Sequence, residues 1–167
     1  MNAMRDVKVE KIVINIGVGE PGEKLDRAKK LLEKLTNKKV VLTHTTRRTT
    51  FGTPKGRTIG CKVTLRRNDA MEFLKRALEA VDNKLPESVF DRQGNFSFGI
   101  KEHIDLPGAK YDPDIGIYGM DVSVVLERRG FRIKRKRLSH DIGSKHKITK
   151  ENAKEWIIKT FGVTVGE

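Results

Sequence analysis

The sequence predicts an α+β fold: a mainly antiparallel sheet with helices packed on one face and the other face left free. Three observations carry that expectation. Several short runs have the β-branched content or the alternation of strands. Three other segments carry apolar residues at helical spacing. No repeat or linker divides the chain, so residues 1–167 are expected to form a single domain.

Residues 9–16, VEKIVINI, read as a central strand, and the Gly-rich GVGEPG after it as a turn. A helix is expected next, because Leu25, Ala28, Leu32 and Leu35 fall on one face at a spacing near 3.6. Lys39 to Thr45 and Ile59 to Arg66 are expected strands, and Gly52, Pro54 and Gly56 between them predict a projecting loop near 51–57. Asn68-Asp69 predicts a helix start, with Glu72 completing a capping box from Asp69. Met71, Leu74, Leu78 and Val81 would form the apolar face of that helix. Residues 95–100 predict a brief strand, and 106–116 is rich in turn residues. In 120–127, Val122, Val124 and Leu126 alternate with Ser123 and Val125, as a strand with one buried face requires. Thr149 predicts the cap of a last helix, with Ala153, Trp156 and Ile157 inward and Gly162 just past its end.

The net charge of +13 is concentrated. Residues 41–62 carry +5 without one acid, and 128–147 carry +8, while the remaining segments cancel. Two such patches point to an anionic polymer, and to nucleic acid before membrane, because no basic amphipathic helix accompanies them. No apolar run is long enough to span a bilayer, and the first residues lack the apolar core of a signal peptide. Cys61 is the single cysteine, so no intrachain disulfide forms. A soluble cytoplasmic chain is expected, with no membrane partner.

Other chemistries fare poorly. GTPKGRT places three residues between Gly52 and Gly56 where a phosphate loop has four, has Arg57 for the lysine, and leads into a strand. His44, His103, His140, His146 and Cys61 show no metal-ligand spacing. Asp112 and Asp114 flank Pro113 in a turn, where such side chains bond their own backbone. Cys61 alternates with Ile59 and Val63 and reads as a buried thiol. No enzyme, cofactor or metal is expected.

RNA binding accounts for more of the residues. Thr43, Thr45 and Arg47 would line one side of a strand where a core strand has apolar groups. Thr43 to Arg48, Arg47 included, and Lys62 to Arg66 are expected to present a fixed polar surface. In the run RRGFRIKRKR, Phe131 and Ile133 alternate with Arg128, Arg129, Arg132, Lys134 and Arg135, which predicts an ordered basic strand. With few aromatics in either patch, backbone and groove recognition of folded RNA is expected before base stacking.

Four separated motifs resemble one family. VEKIVINIGVGE (9–20), TIGCKVTLR (58–66), FDRQGNFSFGIKEHI (90–104) and YDPDIGIYGMDVSVV (111–125) are similar to the universal 5S-rRNA-binding family of the large ribosomal subunit, family five. THTTRRTTFGTPKGRTIG and GSKHKITKENAKEWI resemble its archaeal and eukaryotic branch. The resemblance implies a fold close to the ribonucleoprotein domain and a structural protein of the central protuberance. It implies that the free sheet face holds 5S rRNA and that other surfaces touch the large-subunit rRNA. A projecting loop would reach the P-site tRNA, and a small-subunit head protein would be met across an intersubunit bridge. By motif position, Asn15, Thr64 and Arg66 match the family's 5S contacts, and Lys38 stands where bacterial members have a glutamine. Phe51, Gly52, Thr53, Pro54, Lys55, Gly56 and Arg57 occupy the place of the tRNA-facing loop. A non-ribosomal RNA-binding module or RNA chaperone is the alternative function.

Overall fold

The structure, a computed structural model, describes residues 2–48, 50 and 52–166. Its α+β fold has a five-stranded sheet in the order β2-β3-β1-β6-β5, built from β1 (Val7–Gly17), β2 (Val41–His44), β3 (Thr58–Leu65), β5 (Phe96–Ile100) and β6 (Met120–Arg128). Three helices accompany it: α1 (Glu23–Thr36), α2 (Arg67–Glu79) and α3 (Lys150–Phe161). A second, two-stranded sheet pairs β4 (Lys84–Pro86) with β7 (Thr164–Gly166) in parallel. The chain groups into two compact units. One comprises Met1–Ile12, Arg66–Phe98 and Ser123–Glu167, and the other Val13–Leu65 and Gly99–Val122, so β1, β5 and β6 each have residues in both.

In the second of these units α1 packs on β3. Leu25, Ala28, Leu31 and Leu32 are buried along α1, and Cys61, Val63 and Leu65 along β3. The helix carries Glu23 and Asp26 at its positive end, and Asn37 in the left-handed region closes it with an N–H to the Glu33 carbonyl at 2.9 Å. Strands β2 and β3 pair antiparallel, Val41 opposite Lys62 and Thr43 opposite Gly60, with a shift of register between Thr43 and His44. Gly60 has to be glycine, because a Cβ there would lie 2.8 Å from the Ile16 carbonyl oxygen and 2.9 Å from the Thr43 hydroxyl. The turn after β1 is tied down as the N–H groups of Val18 and Gly19 both donate to the Ile59 carbonyl. Cys61 is buried, and burial pushes its thiol up to about 11, consistent with a structural role.

In the other unit Ala70, Phe73, Leu74, Ala77 and Leu78 are buried along α2. That corrects the expected face of Met71, Leu74, Leu78 and Val81, of which Met71 and Val81 are only half-buried. It also corrects the expected capping box. The helix begins at Arg67, straight after β3, so Asp69 lies inside its first turn instead of before it. Trp156 is half-buried and stacks edge-on against Phe161, while Ala153 and Ile157 supply the buried face of α3. The caps of α3 are as expected: the Thr149 side chain accepts from the Asn152 N–H, and Gly162 closes the helix at φ 68°. The basic run is not a strand. β6 stops at Arg128, Gly130 turns the chain at φ 92°, and Phe131–Arg135 forms a 3-10 turn. Strands β4 and β7, three residues each, carry no sequence signal of that length.

His103 is buried to 1% exposure; its Nδ1 accepts from the Tyr118 N–H at 3.4 Å, and its Nε2 meets no hydrogen-bond partner among the described residues. Burial lowers its pKa below the ordinary 6.5, against the raising effects of the Tyr118 contact, Glu102 and Asp105. The unfolded imidazole therefore takes up a proton that the folded one resists. Stability should be full above pH 6.5 and be lost as pH falls from 6.5 towards the lower folded value. His103→Asn is expected to flatten that acid limb in urea unfolding at a series of pH values; an unchanged limb would assign it to other groups. Gly60→Ala is expected to destabilise the fold by about 1–3 kcal/mol, because the obstacles are a backbone carbonyl and a neighbouring strand. An unshifted urea midpoint would show that the strands give way.

Candidate RNA-binding surface

Along β3, Lys62 and Thr64 are exposed and alternate with buried Cys61, Val63 and Leu65. Pairing places Thr43 beside Gly60 on the same side as Lys62 and Thr64, since directly opposed residues share a face and the period is two. Asn15 projects from β1 between buried Ile14 and Ile16 and is half-buried. Lys62 and Thr64 thus share an exposed strand face, whereas Asn15 shares its face of β1 with Val13.

The expected row of Thr43, Thr45 and Arg47 does not form, because β2 ends at His44 after its shift of register. Thr45 instead closes the neck of the loop. Its hydroxyl donates to the Pro54 carbonyl at 2.7 Å and accepts from the Arg57 N–H at 3.1 Å. Its own N–H and carbonyl pair with Arg57 and Gly56 at 2.9 Å. Beyond the neck, Arg47, Arg48, Lys55 and Arg57 are exposed and form no ion pair with any described residue. Gly52 and Gly56 turn the loop at φ 81° and 85°, between which Thr53 is half-buried and Pro54 exposed. Phe51, assigned to this loop from the sequence, lies outside the described residues. Lys38 is exposed just after the Asn37 cap.

In the other unit the cations divide into two groups. Arg135 donates to Glu10 at 2.6 Å and to Glu127 at 2.8 Å, while Arg66 reaches the same Glu10 oxygen at 3.4 Å and Lys8 pairs with Glu127 at 3.3 Å. Arg128 is half-buried, its guanidinium donating to the carbonyls of His146 and Lys147 at 3.4 Å each. Arg129, Arg132 and Lys134 are exposed and carry no such side-chain pairing. Arg66 and Arg135 are therefore available to another anion only by sharing or exchanging a carboxylate. Glu10 and Glu127 escaped the sequence reading, although Glu10 stands conspicuously among apolar strand residues.

Asp112 and Asp114 behave as a turn: Asp112 accepts from the Asp114 N–H at 3.2 Å. The Lys34 ammonium at 2.6 Å holds the Asp112 carboxyl below its usual range. Among the described residues no cluster of His, Cys, Asp or Glu could hold a metal ion. No described helix is long and apolar enough to cross a membrane.

Comparison with known proteins agrees with these features. Residues 58–160 match the C-terminus of the ribosomal protein L5 family, and residues 2–49 match Ribosomal protein L5. The large ribosomal subunit protein uL5 of Sulfolobus acidocaldarius is 49% identical over 99% of this chain and 94% of that protein. Those of Methanosphaera stadtmanae and Methanoculleus marisnigri are each 47% identical over 99% of this chain, covering 99% and 100% of their own lengths. With family matches over residues 2–49 and 58–160 and relatives of 47–49% identity over nearly its whole length, the chain belongs to the ribosomal protein L5 family, in its archaeal-type branch, a family of structural ribosomal proteins and not of enzymes.

Proposed function

We propose that the chain is a structural component of the large ribosomal subunit that binds 5S rRNA and attaches it in the central protuberance. The observation that carries this is the polar face of β3, where Lys62 and Thr64 stand exposed on a strand whose other side buries Cys61, Val63 and Leu65. A strand anchored in this way fixes a cation and a hydroxyl in register, which suits phosphate and sugar contacts better than base reading. Thr43 and Asn15 add a hydroxyl and an amide from neighbouring strands of the same unit. The exposed cations Arg129, Arg132 and Lys134 of the basic arm, residues 128–147, meet ribosomal RNA, and the loop beyond Thr45 serves the P-site tRNA. A small-subunit head protein is the partner across the intersubunit bridge. The whole molecule acts as one RNA-binding domain in the cytoplasmic ribosome.

The isolated protein is expected to bind 5S rRNA with a slope of log affinity on log salt of about −3.5 to −4.5, for roughly five neutralised phosphates. A flat titration, or a protein that leaves the large subunit in a moderate salt wash, would refute the assignment. The loop is tested separately. Replacing Thr53 to Lys55 with a Gly-Ser turn is expected to leave 5S affinity within about twofold, since few phosphate contacts are lost. The same change is expected to quicken P-site tRNA release from reconstituted ribosomes. Lost 5S binding with unaltered tRNA release would exchange the two roles.

A further inference from the structure

The unit that contains the basic arm holds a cleft of about 630 Å³, a size within the roughly 300–1,000 Å³ of small-molecule sites. One wall is the turn 91–95. The Asp91 carboxylate accepts the N–H groups of Gln93 and Asn95 at 2.8 Å each, and the Asn95 side-chain oxygen accepts from the Leu126 N–H at 3.3 Å. Gly94, at φ 76°, packs so closely that a Cβ would lie 2.5 Å from the Ile148 side chain. This wall is set before any ligand arrives.

The opposite wall is the arm. Arg135 ties it to Glu10 and Glu127, and Arg128 ties its far end through the carbonyls of His146 and Lys147. The Phe131 ring is fixed edge-on to His146 at 5.6 Å. The lining is divided by chemistry. Val125, Phe131, Ile142 and Ile148 supply an apolar interior, while Arg92, Lys134 and Lys147 are exposed cations. None of these three side chains pairs with a described acid; Asp141 is the one unpaired acid in the lining.

Duplex phosphates alone have no use for an apolar, aromatic interior, and an apolar peptide has none for three free cations. One nucleotide uses both: a base has two faces to bury and its flanking phosphates carry the charge. We propose that this cleft takes a single unpaired nucleotide from a loop of ribosomal RNA, base inward beside Phe131 and Val125, with the adjoining phosphates on Arg92, Lys134 and Lys147. The inference rests on the RNA-binding reading above and adds to it a site that recognises an extruded base. Arg135 is then a positioning residue, holding the wall in place from outside the ligand.

The test uses the full chain and two RNAs of equal length and charge: a hairpin pool with a randomised loop, and a blunt duplex. Wild type is expected to prefer the hairpins by about tenfold, the order of one stacked base. The paired change Arg92→Ala and Lys147→Ala is expected to bring that preference below about twofold. Ser144→Trp, on an exposed lining residue, fills the cleft without altering charge. It is expected to abolish the preference and leave duplex affinity and salt slope unchanged. Native melting of each variant establishes that the fold is kept. A persistent loop preference in folded Ser144→Trp would overturn the proposal, as would equal losses on both RNAs in the paired variant. Adenosine monophosphate binding as tightly as the hairpins would overturn it in favour of a free nucleotide. Equal affinity of wild type for both RNAs defeats the cleft alone, whereas no affinity for either defeats the RNA-binding reading itself.

Discussion

The carboxylate of Glu10 is the constraint on which the basic arm depends. It lies on β1 with 10% of its side chain exposed and meets two guanidinium groups, from Arg135 at 2.6 Å and Arg66 at 3.4 Å. The fork of Arg135 extends to Glu127, itself 17% exposed, so one planar cation joins two strands of the same unit. A fully exposed pair would contribute only about 0.2–1 kcal/mol, and here the guanidinium side is itself half exposed. Its weight here comes from what else could hold the arm. Ile133 and Leu138 are left 37% and 79% exposed, and only Ile142 and Ile148 bury apolar surface between the arm's first turn and α3. Without its guanidinium fork the arm would have few apolar contacts to oppose the entropy of ordering it.

That arrangement divides the positive charge into two populations. Lys8, Arg66 and Arg135 are engaged with Glu10 and Glu127, Lys150 and Lys154 with Glu87, Lys34 with Asp112, and Arg27 with Glu23. Arg47, Arg48, Lys55, Arg57 and Lys62, together with Arg132 and Lys134, pair with no described acid. Only cations of the second kind arrive at RNA surrounded by counter-ions to be released. The formal excess of +13 therefore overstates the charge left unpaired at the surface, and the location of unpaired charge is the better guide.

How far the sequence revealed this follows from the range of each interaction. Strand β6 was legible because alternation of Val122, Val124 and Leu126 is a local property, and α3 because Thr149 and Gly162 mark both its ends. The start of α2 was misread, as β3 runs into it with no turn between and the capping signal at Asp69 lies within its first turn. The alternation in 128–137 was real but gave no strand, since Gly130 reverses the backbone before it begins. Lys62 and Thr64 were legible as exposed strand residues, while Thr45 was not legible as a lock. Its partners appear only when the loop folds back on itself. The role of Glu10 was hidden most deeply, because its tightest partner is 125 residues away.

The same unit also explains why an RNA-binding protein keeps acids near its basic arm. A segment with Arg132, Lys134, Arg135, Lys136 and Arg137 in close succession repels itself, and nothing in its composition selects one shape. Two partly buried glutamates select one by giving Arg135 a geometry that no exposed phosphate in solution would hold. Neutralising that arginine costs the surface one cation and gains an arm whose other cations sit at defined places. Ordering before binding lowers the entropy lost when RNA arrives, so a few well-placed charges can achieve what many mobile ones would. The acids thus serve the arm by fixing the positions of the cations that remain free.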